Sequence, residues 1–72
     1  MSDHTYGISE LVGTSATGVD DAIRNAIGHA KAELPHLDWF EMVALRGHLT
    51  DGEIAHYQVT IKVGYRFGAG GR

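Results

Sequence analysis

Cysteine is absent from this 72-residue sequence, and proline occurs only once. Without cysteine, disulfides, thiolate metal sites and cysteine nucleophiles are excluded. The sequence also lacks any apolar run near the roughly 20 residues that span a bilayer. Residues 1–6 are polar and contain no hydrophobic segment typical of a secretion signal. These absences lead us to expect a cytoplasmic protein.

Positive charge is also scarce. Six lysines and arginines stand against nine aspartates and glutamates, which gives a net charge of −3. This balance argues against nucleic acid as a partner. A chain this short buries only about 60% of its surface and usually needs disulfides, metals or oligomerisation to be stable. With disulfides excluded, we expect an oligomer.

One helix is predicted over residues 18–34, where apolar side chains recur every three or four positions. Thr17 is predicted to cap its first turn, and Asp20, three residues on, completes a pair that resembles a capping box. Pro35 ends the helix because it lacks an N–H and disfavours helical geometry at the residue before it.

Three strands are predicted over residues 6–14, 37–49 and 54–67, of which the last alternates most regularly. Asp51-Gly52, between the second and third strands, predicts a tight type I′ turn. The fold class is therefore α+β, a β-α-β-β subunit. Its three-stranded antiparallel sheet has the order 1-3-2, and the helix packs on one face.

The predicted domain organisation is simple. A single domain covers residues 6–67, and an N-terminal arm of residues 1–5 precedes it. The glycine-rich tail, residues 68–72, is predicted to be flexible.

A two-residue turn fixes the predicted register of the hairpin. It pairs Trp39 with Gly64 on the face away from the helix. The predicted helix is about 26 Å long and the third strand about 46 Å, so the helix cannot cover the hairpin's full length. It also covers only one face, so a monomer exposes the face away from the helix. Exposed apolar patches of this kind usually mark interfaces or binding sites. The same register pairs Val43 with Thr60, Leu45 with Gln58 and Glu41 with Lys62, and the uncovered apolar residues are Trp39, Val43, Leu45 and Leu49.

Trp39 is the main candidate binding residue. An indole opposite a residue without a side chain leaves a slot beside the ring, and Gln58, Thr60 and Lys62 share its predicted face. An aromatic plate with amide and hydroxyl groups nearby suits a flat heterocycle. The competing interpretation is a tryptophan packed against another subunit, which the pattern alone favours by roughly two to one.

Other chemical motifs are weaker. Residues 13–18 have the glycine spacing of a phosphate loop. However, Val19 and Asp20 follow where such a loop requires Lys and Ser or Thr, so we reject an ATPase function. The predicted register puts His48 and His56 on opposite faces, which excludes a shared metal ion within one chain. We therefore expect no metal site. No Ser-His-acid arrangement stands out either, so we expect no catalytic residues and no enzyme.

The sequence resembles the dodecins, small flavin-binding proteins of archaea and bacteria. The resemblance covers residues 6–67, and its most specific parts are Asp-Trp-Phe-Glu at residues 38–41 and the later Tyr-Gln at residues 57–58. The matching segments are residues 10–15, 37–41, 46–47, 57–59 and 63–67.

This resemblance implies a hollow homododecamer that binds flavins in pairs between subunits, each flavin stacked on a tryptophan. Trp39 would be the stacking residue, and Gln58 would hydrogen-bond the polar edge of the isoalloxazine. Asp38, Arg46 and Arg66 match positions near the ligand in bacterial members. The two arginines favour FMN over riboflavin, with FAD as a further alternative.

The implied function is non-enzymatic flavin storage or sequestration, with photoprotective quenching by the stacked tryptophan. The alternative is a structural oligomer or a coenzyme A carrier in which Trp39 is only an interface residue. Some bacterial dodecins bind coenzyme A through basic residues. Here Gly7 and His29 stand at two such positions, whereas Lys31 and Arg46 remain.

The face that Arg46 occupies is a separate question. The simple register puts it on the helix face, opposite Tyr57, unless a bulge near Gly47 redirects it.

Overall fold

The computed structural model describes residues 3–67. The chain forms β1 (Tyr6–Ser15), α1 (Val19–Glu33), β2 (Leu37–Thr50) and β3 (Glu53–Arg66). The three strands form one sheet in the order β1-β3-β2, and both strand pairs are antiparallel. This confirms the predicted fold class and topology, with each element boundary within one residue of its prediction.

Backbone pairing continues beyond the ends of β1 and β3. The backbone N–H of Phe67 donates to the carbonyl of Thr5 at 2.9 Å, which extends the β1–β3 pairing past the ends of both strands. The predicted flexible tail, residues 68–72, and the first two residues of the predicted arm lie outside the described residues. In the described part of the chain, α1 is too short and too polar to cross a membrane.

The core lies between α1 and the central strand β3. Small side chains on the helix let it approach the sheet closely, and branched side chains on the strand fill the space between them. Gly13 on β1 also permits this approach, because a Cβ there would run into the carbonyl oxygen of Ala22 and the Cβ of Ala26. The buried apolar residues are Ala22, Ala26, Ala30, Val59, Ile61 and Val63.

The start of α1 differs from the prediction that Thr17 caps it. The N-cap residue is Gly18, and no side chain caps it. Instead, the Ser15 Oγ accepts hydrogen bonds from the backbone N–H groups of Thr17 at 2.9 Å and Gly18 at 3.4 Å. The Ser15 hydroxyl itself donates to the carboxylate of Asp21 at 2.8 Å. The side chains of Ser15 and Asp21 therefore stabilise the turn between β1 and α1.

The hairpin turn is as predicted. Asp51 and Gly52 both have positive φ, 54° and 78°. Positive φ at both central residues is the mark of a type I′ turn, whose twist matches that of the flanking strands. Thr50 pairs with Glu53 across this turn.

Two extra residues shift the hairpin register between the turn and Trp39. Ala55 is an extra residue in β3, between the pairs Leu49–Ile54 and His48–His56, and Val43 is an extra residue in β2, between the pairs at Met42 and Ala44. The two bulges compensate, so Trp39 pairs with Gly64 as predicted. Between the bulges the register differs from the prediction by one residue. The predicted pairs Val43–Thr60 and Leu45–Gln58 are wrong, and the actual pairs are Ala44–Thr60, Leu45–Val59, Arg46–Gln58, Gly47–Tyr57 and His48–His56.

The shifted register divides the predicted apolar face. Leu45 pairs with the buried Val59 and so lies on the helix side, and alternation along β2 places Leu49 there too. The prediction that both lie away from the helix is therefore wrong. Exposed apolar residues instead occupy both faces of the sheet. Those on the helix side include Phe40, Met42 and Leu45, and those on the opposite face include Tyr6, Ile8, Val12 and Trp39.

Substitution of Gly13 tests the close contact between helix and sheet. We expect Gly13→Ala to destabilise the fold by about 1–3 kcal/mol, because its Cβ meets backbone and forces the helix to move. The control is Gly28→Ala on the exposed side of α1, where a Cβ meets nothing, and which should stabilise by about 0.4–1 kcal/mol. Denaturant unfolding followed by far-UV circular dichroism measures both. Equal effects of the two changes would contradict this account of the core.

Candidate functional site

Trp39 lies flat over Gly64. An ideal Cβ built on Gly64 would fall within the indole, its nearest atoms being Cη2, Cζ2 and Cε2 of Trp39. Only glycine at position 64 therefore allows the ring to rest on the sheet. The tryptophan still keeps 42% of its surface exposed. One side of the indole is thus supported by the sheet while much of the residue is available to a ligand or a partner.

Tyr6 packs its ring against the edge of Trp39. The ring centroids are 5.1 Å apart and the planes are inclined by 64°. Edge-to-face pairs of this kind contribute about 0.5–1.5 kcal/mol beyond their buried area. Tyr6 was not among the predicted site residues. The sequence did contain a clue to its role. Tyr6 lies two residues before Ile8 on the same face of β1, and Ile8 pairs with Gly64.

Arg66 shares the face of the sheet on which Trp39 lies. It pairs with Tyr6 on β1 and lies on the face away from α1. Its Nε is buried and finds no hydrogen-bond partner within the described residues. An unsatisfied buried donor is costly, so this nitrogen indicates a place for an acceptor that residues 3–67 of one chain do not supply. Asp38, which is exposed, is an extra residue in β2 beside Trp39. We call this group (Tyr6, Asp38, Trp39, Gly64 and Arg66) the aromatic end.

Gln58 belongs to a second group. It pairs with Arg46 on β2 and with Thr14 on β1, so an amide, a guanidinium and a hydroxyl share one face, away from the helix. The bulges at Val43 and Ala55 redirect Arg46 to this face, and the placement opposite Tyr57 is wrong. We call Thr14, Arg46 and Gln58 the polar end.

The two ends are far apart in one chain. Six residues of extended β3 separate Gln58 from Gly64, which corresponds to about 20 Å. One heterocycle cannot touch both Trp39 and Gln58 of the same chain. The predicted combination of these side chains around one ligand therefore needs residues from two chains.

The other predicted side-chain pairs have mixed outcomes. Glu41 pairs with Lys62 as predicted, although these two described side chains form no salt bridge with each other. The prediction for His48 and His56 is wrong, because the register shift places them directly opposite each other. Their rings are stacked, with centroids 5.3 Å apart. Within residues 3–67, no group of three or more His, Cys, Asp or Glu side chains has metal-site geometry.

An open groove lies on the helix side of the sheet, beside Phe40. It has a volume of about 460 Å³, and Ile23 and Ile27 supply its apolar wall. Lys31 also lines it. Because Arg46 lies on the opposite face of the sheet, these two basic residues do not meet within one chain.

Comparison with known proteins identifies the family. A family model for dodecins matches residues 5–68. The curated dodecin of Thermus thermophilus is 46% identical over 61 residues, which cover 85% of this chain and 88% of that protein. The chain belongs to the dodecin family. The resemblance to this family is thereby confirmed.

Solved dodecin structures share the whole fold. The dodecin from Streptomyces davaonensis is 59% identical with a TM-score of 0.87, over 92% of this chain and 97% of that one. The dodecin from Streptomyces coelicolor is 52% identical with a TM-score of 0.88, over 93% and 96% of the two chains. The similarity thus extends through both the aromatic end and the polar end.

Substitution of Gly64 tests how the indole is held. We expect Gly64→Ala to push Trp39 off the sheet and away from Tyr6, because the new methyl group occupies the position of the ring. The indole bands in near-UV circular dichroism should weaken and the tryptophan emission should shift. Gly18→Ala is the matched control, since a Cβ there meets nothing within 4 Å. Unchanged indole spectra in Gly64→Ala would contradict the stacked arrangement.

Proposed function

We propose that this chain binds FMN without catalysing a reaction, in a homododecamer that stores flavin and quenches its excited state. The observation that carries the proposal is the indole of Trp39, laid flat over Gly64 and still partly exposed. A flat aromatic ligand gains most from a flat aromatic surface that is already fixed in place. Tyr6 adds to this fixation through its edge contact with the indole.

The polar groups favour a flavin among flat ligands. An isoalloxazine has a polar edge with both donors and acceptors, and the Gln58 side-chain amide offers both kinds of group. The unpartnered Nε of Arg66 and the guanidinium of Arg46 suit a phosphate, which arginine binds with charge-assisted hydrogen bonds. We therefore propose FMN as the preferred ligand over riboflavin, and FAD as the second choice.

Assembly is required by this proposal. The aromatic end and the polar end lie about 20 Å apart on β3, so a ligand that stacks on Trp39 and bonds Gln58 lies between subunits. Exposed apolar side chains on both faces of the sheet supply surface for such contacts. Closed symmetric assembly lets one chain use both ends at once, since each subunit gives its aromatic end to one site and its polar end to another.

The expected chemistry is photophysical. The stacked indole of Trp39 donates an electron to photoexcited flavin and then takes it back, so that light energy is lost as heat. The same stacking covers a ring face that a hydride donor would have to approach. The proposed role is thus storage and protection, without turnover.

The alternative function, a coenzyme A carrier, has less support in this chain. Lys31 lines the groove on the helix side, whereas Arg46 lies on the other face of the sheet. A coenzyme A site that used both residues would need two chains, and Gly7 and His29 stand where some relatives are basic. A purely structural oligomer would have to supply the acceptor for the buried Arg66 Nε from a neighbouring subunit.

Trp39 is the first residue to test. Aromatic stacking on nucleobases is worth about 1–3 kcal/mol per base, so Trp39→Ala should weaken FMN binding roughly five- to a hundred-fold. FMN fluorescence should be strongly quenched on binding to the original protein and should recover in the variant. Trp39→Phe is the matched control, because it keeps a smaller ring and should lose less affinity. If Trp39→Ala stays assembled and binds and quenches FMN as before, the proposal is wrong.

Assembly and the shared site are tested together. Light scattering should give a mass near that of a dodecamer. Trp39→Ala and Gln58→Ala should each weaken FMN binding, the latter by about 0.5–1.5 kcal/mol. When the two variants are coexpressed, some sites combine Trp39 of one chain with Gln58 of another, and tight binding should return in part. A stable monomer, or mixed assemblies without any tight sites, would contradict a site between subunits.

The absence of catalysis is a separate prediction. The FMN-loaded protein, supplied with reduced nicotinamide and common electron acceptors, should turn over no faster than free FMN. The reason is that Trp39 covers the ring face that a hydride donor needs. Steady-state measurements with the original protein and with Trp39→Ala check this point. Turnover clearly above that of free FMN, and lost in the variant, would make the protein an enzyme.

A further inference from the structure

Two histidines face each other near the tip of the hairpin. His48 on β2 and His56 on β3 are directly paired, and their rings stack with centroids 5.3 Å apart and planes inclined by only 12°. His48 is exposed and His56 is half-buried, so both rings are accessible in the chain. This pair exists only because the two bulges shift the register between them.

We infer that His48 and His56 form a two-ligand site for a divalent transition metal ion such as Zn²⁺. Neutral imidazole nitrogen is a preferred ligand of this ion class. Two nitrogens bound to one Zn²⁺ at about 2.0–2.1 Å each lie at most about 4.2 Å apart. Side chains on directly paired strand residues already have Cβ atoms about 4.5–5.5 Å apart. A modest rotation of the two rings is therefore enough to close the chelate.

The surroundings set the expected strength of the site. Arg46 lies two residues before His48 on the same face, and its positive charge weakens the binding of a dication. Glu53 pairs with Thr50 at the turn, on the opposite side of the two histidines from Arg46. Its negative charge favours the binding of a dication. Among the residues that the structure describes, no third His, Asp, Glu or Cys joins the two histidines as a ligand. Water completes the coordination, and the binding is moderate in strength.

The site has a structural consequence of its own and does not rest on flavin binding. A metal ion held by both histidines links β2 to β3 at the end of the hairpin that extends past α1. Ligands that bind only the folded state stabilise it by mass action. The bound ion therefore holds together the part of the sheet that the helix does not cover.

Zn²⁺ titration of the intact protein tests the site. Isothermal calorimetry should show one Zn²⁺ bound per chain. Because the second imidazole binds intramolecularly, its loss should weaken affinity about tenfold or more, so His48→Asn and His56→Asn should have similar large effects. The double variant should be no worse than either single one, because the remaining lone histidine contributes little. His29→Asn on α1, where the ring lies 3.7 Å from the Glu33 carboxylate, is the control and should change little.

A second measurement locates the ion without any substitution. In protein labelled with ¹⁵N at histidine, the ring nitrogens of His48 and His56 should shift together and saturate at one Zn²⁺ per chain. The inference is wrong if these signals do not move, or if only one of the two rings responds. It is also wrong if the single variants bind Zn²⁺ as tightly as the original protein, or if their losses add independently in the double variant.

Discussion

A pair of compensating bulges governs which side chains meet on this sheet. Side chains alternate between faces along a strand, so one extra residue exchanges the faces beyond it. Ala55 in β3 introduces the shift and Val43 in β2 removes it. Between them, Arg46 meets Gln58 and His48 meets His56. The polar end of the candidate flavin site and the proposed metal site therefore both depend on the same local irregularity.

The second constraint is the difference in length between helix and hairpin. The 15 residues of α1 span about 22 Å, whereas the 14 residues of β3 span about 46 Å. The buried core accordingly stops at Val59, and the hairpin continues without cover. The exposed Leu45 and Leu49, on the helix side of the hairpin, lie at and beyond this limit of the core. A chain of this shape gains buried surface and a complete binding site by assembling with copies of itself.

Much of the fold follows from local chemistry that sequence patterns report well. The helix was predicted from apolar spacing and Pro35, and the turn from Asp51-Gly52, because each depends on interactions between neighbours in the chain. The pairing of Trp39 with Gly64 was also predicted correctly, but only because the two bulges cancel. The capping of α1 was wrong, since Ser15 at the end of β1 and Asp21 in the first helical turn meet only once strand and helix are packed.

The sequence by itself determined the element order, the antiparallel topology, the family and the position of the Trp39 indole opposite Gly64. These features depend on the spacing of apolar residues, on the residues of the turn and on residue identity, all of which can be read directly from the sequence. The tertiary structure alone decided the faces of Arg46, Leu45 and the two histidines, the edge contact of Tyr6 and the unpartnered Nε of Arg66. Neither bulge was predicted, because the sequence reports two extended segments, whereas the pairing between them is decided only in the folded sheet. For that reason the register between the two bulges, and with it the pairing of Arg46 with Gln58 and of His48 with His56, emerged only from the folded chain.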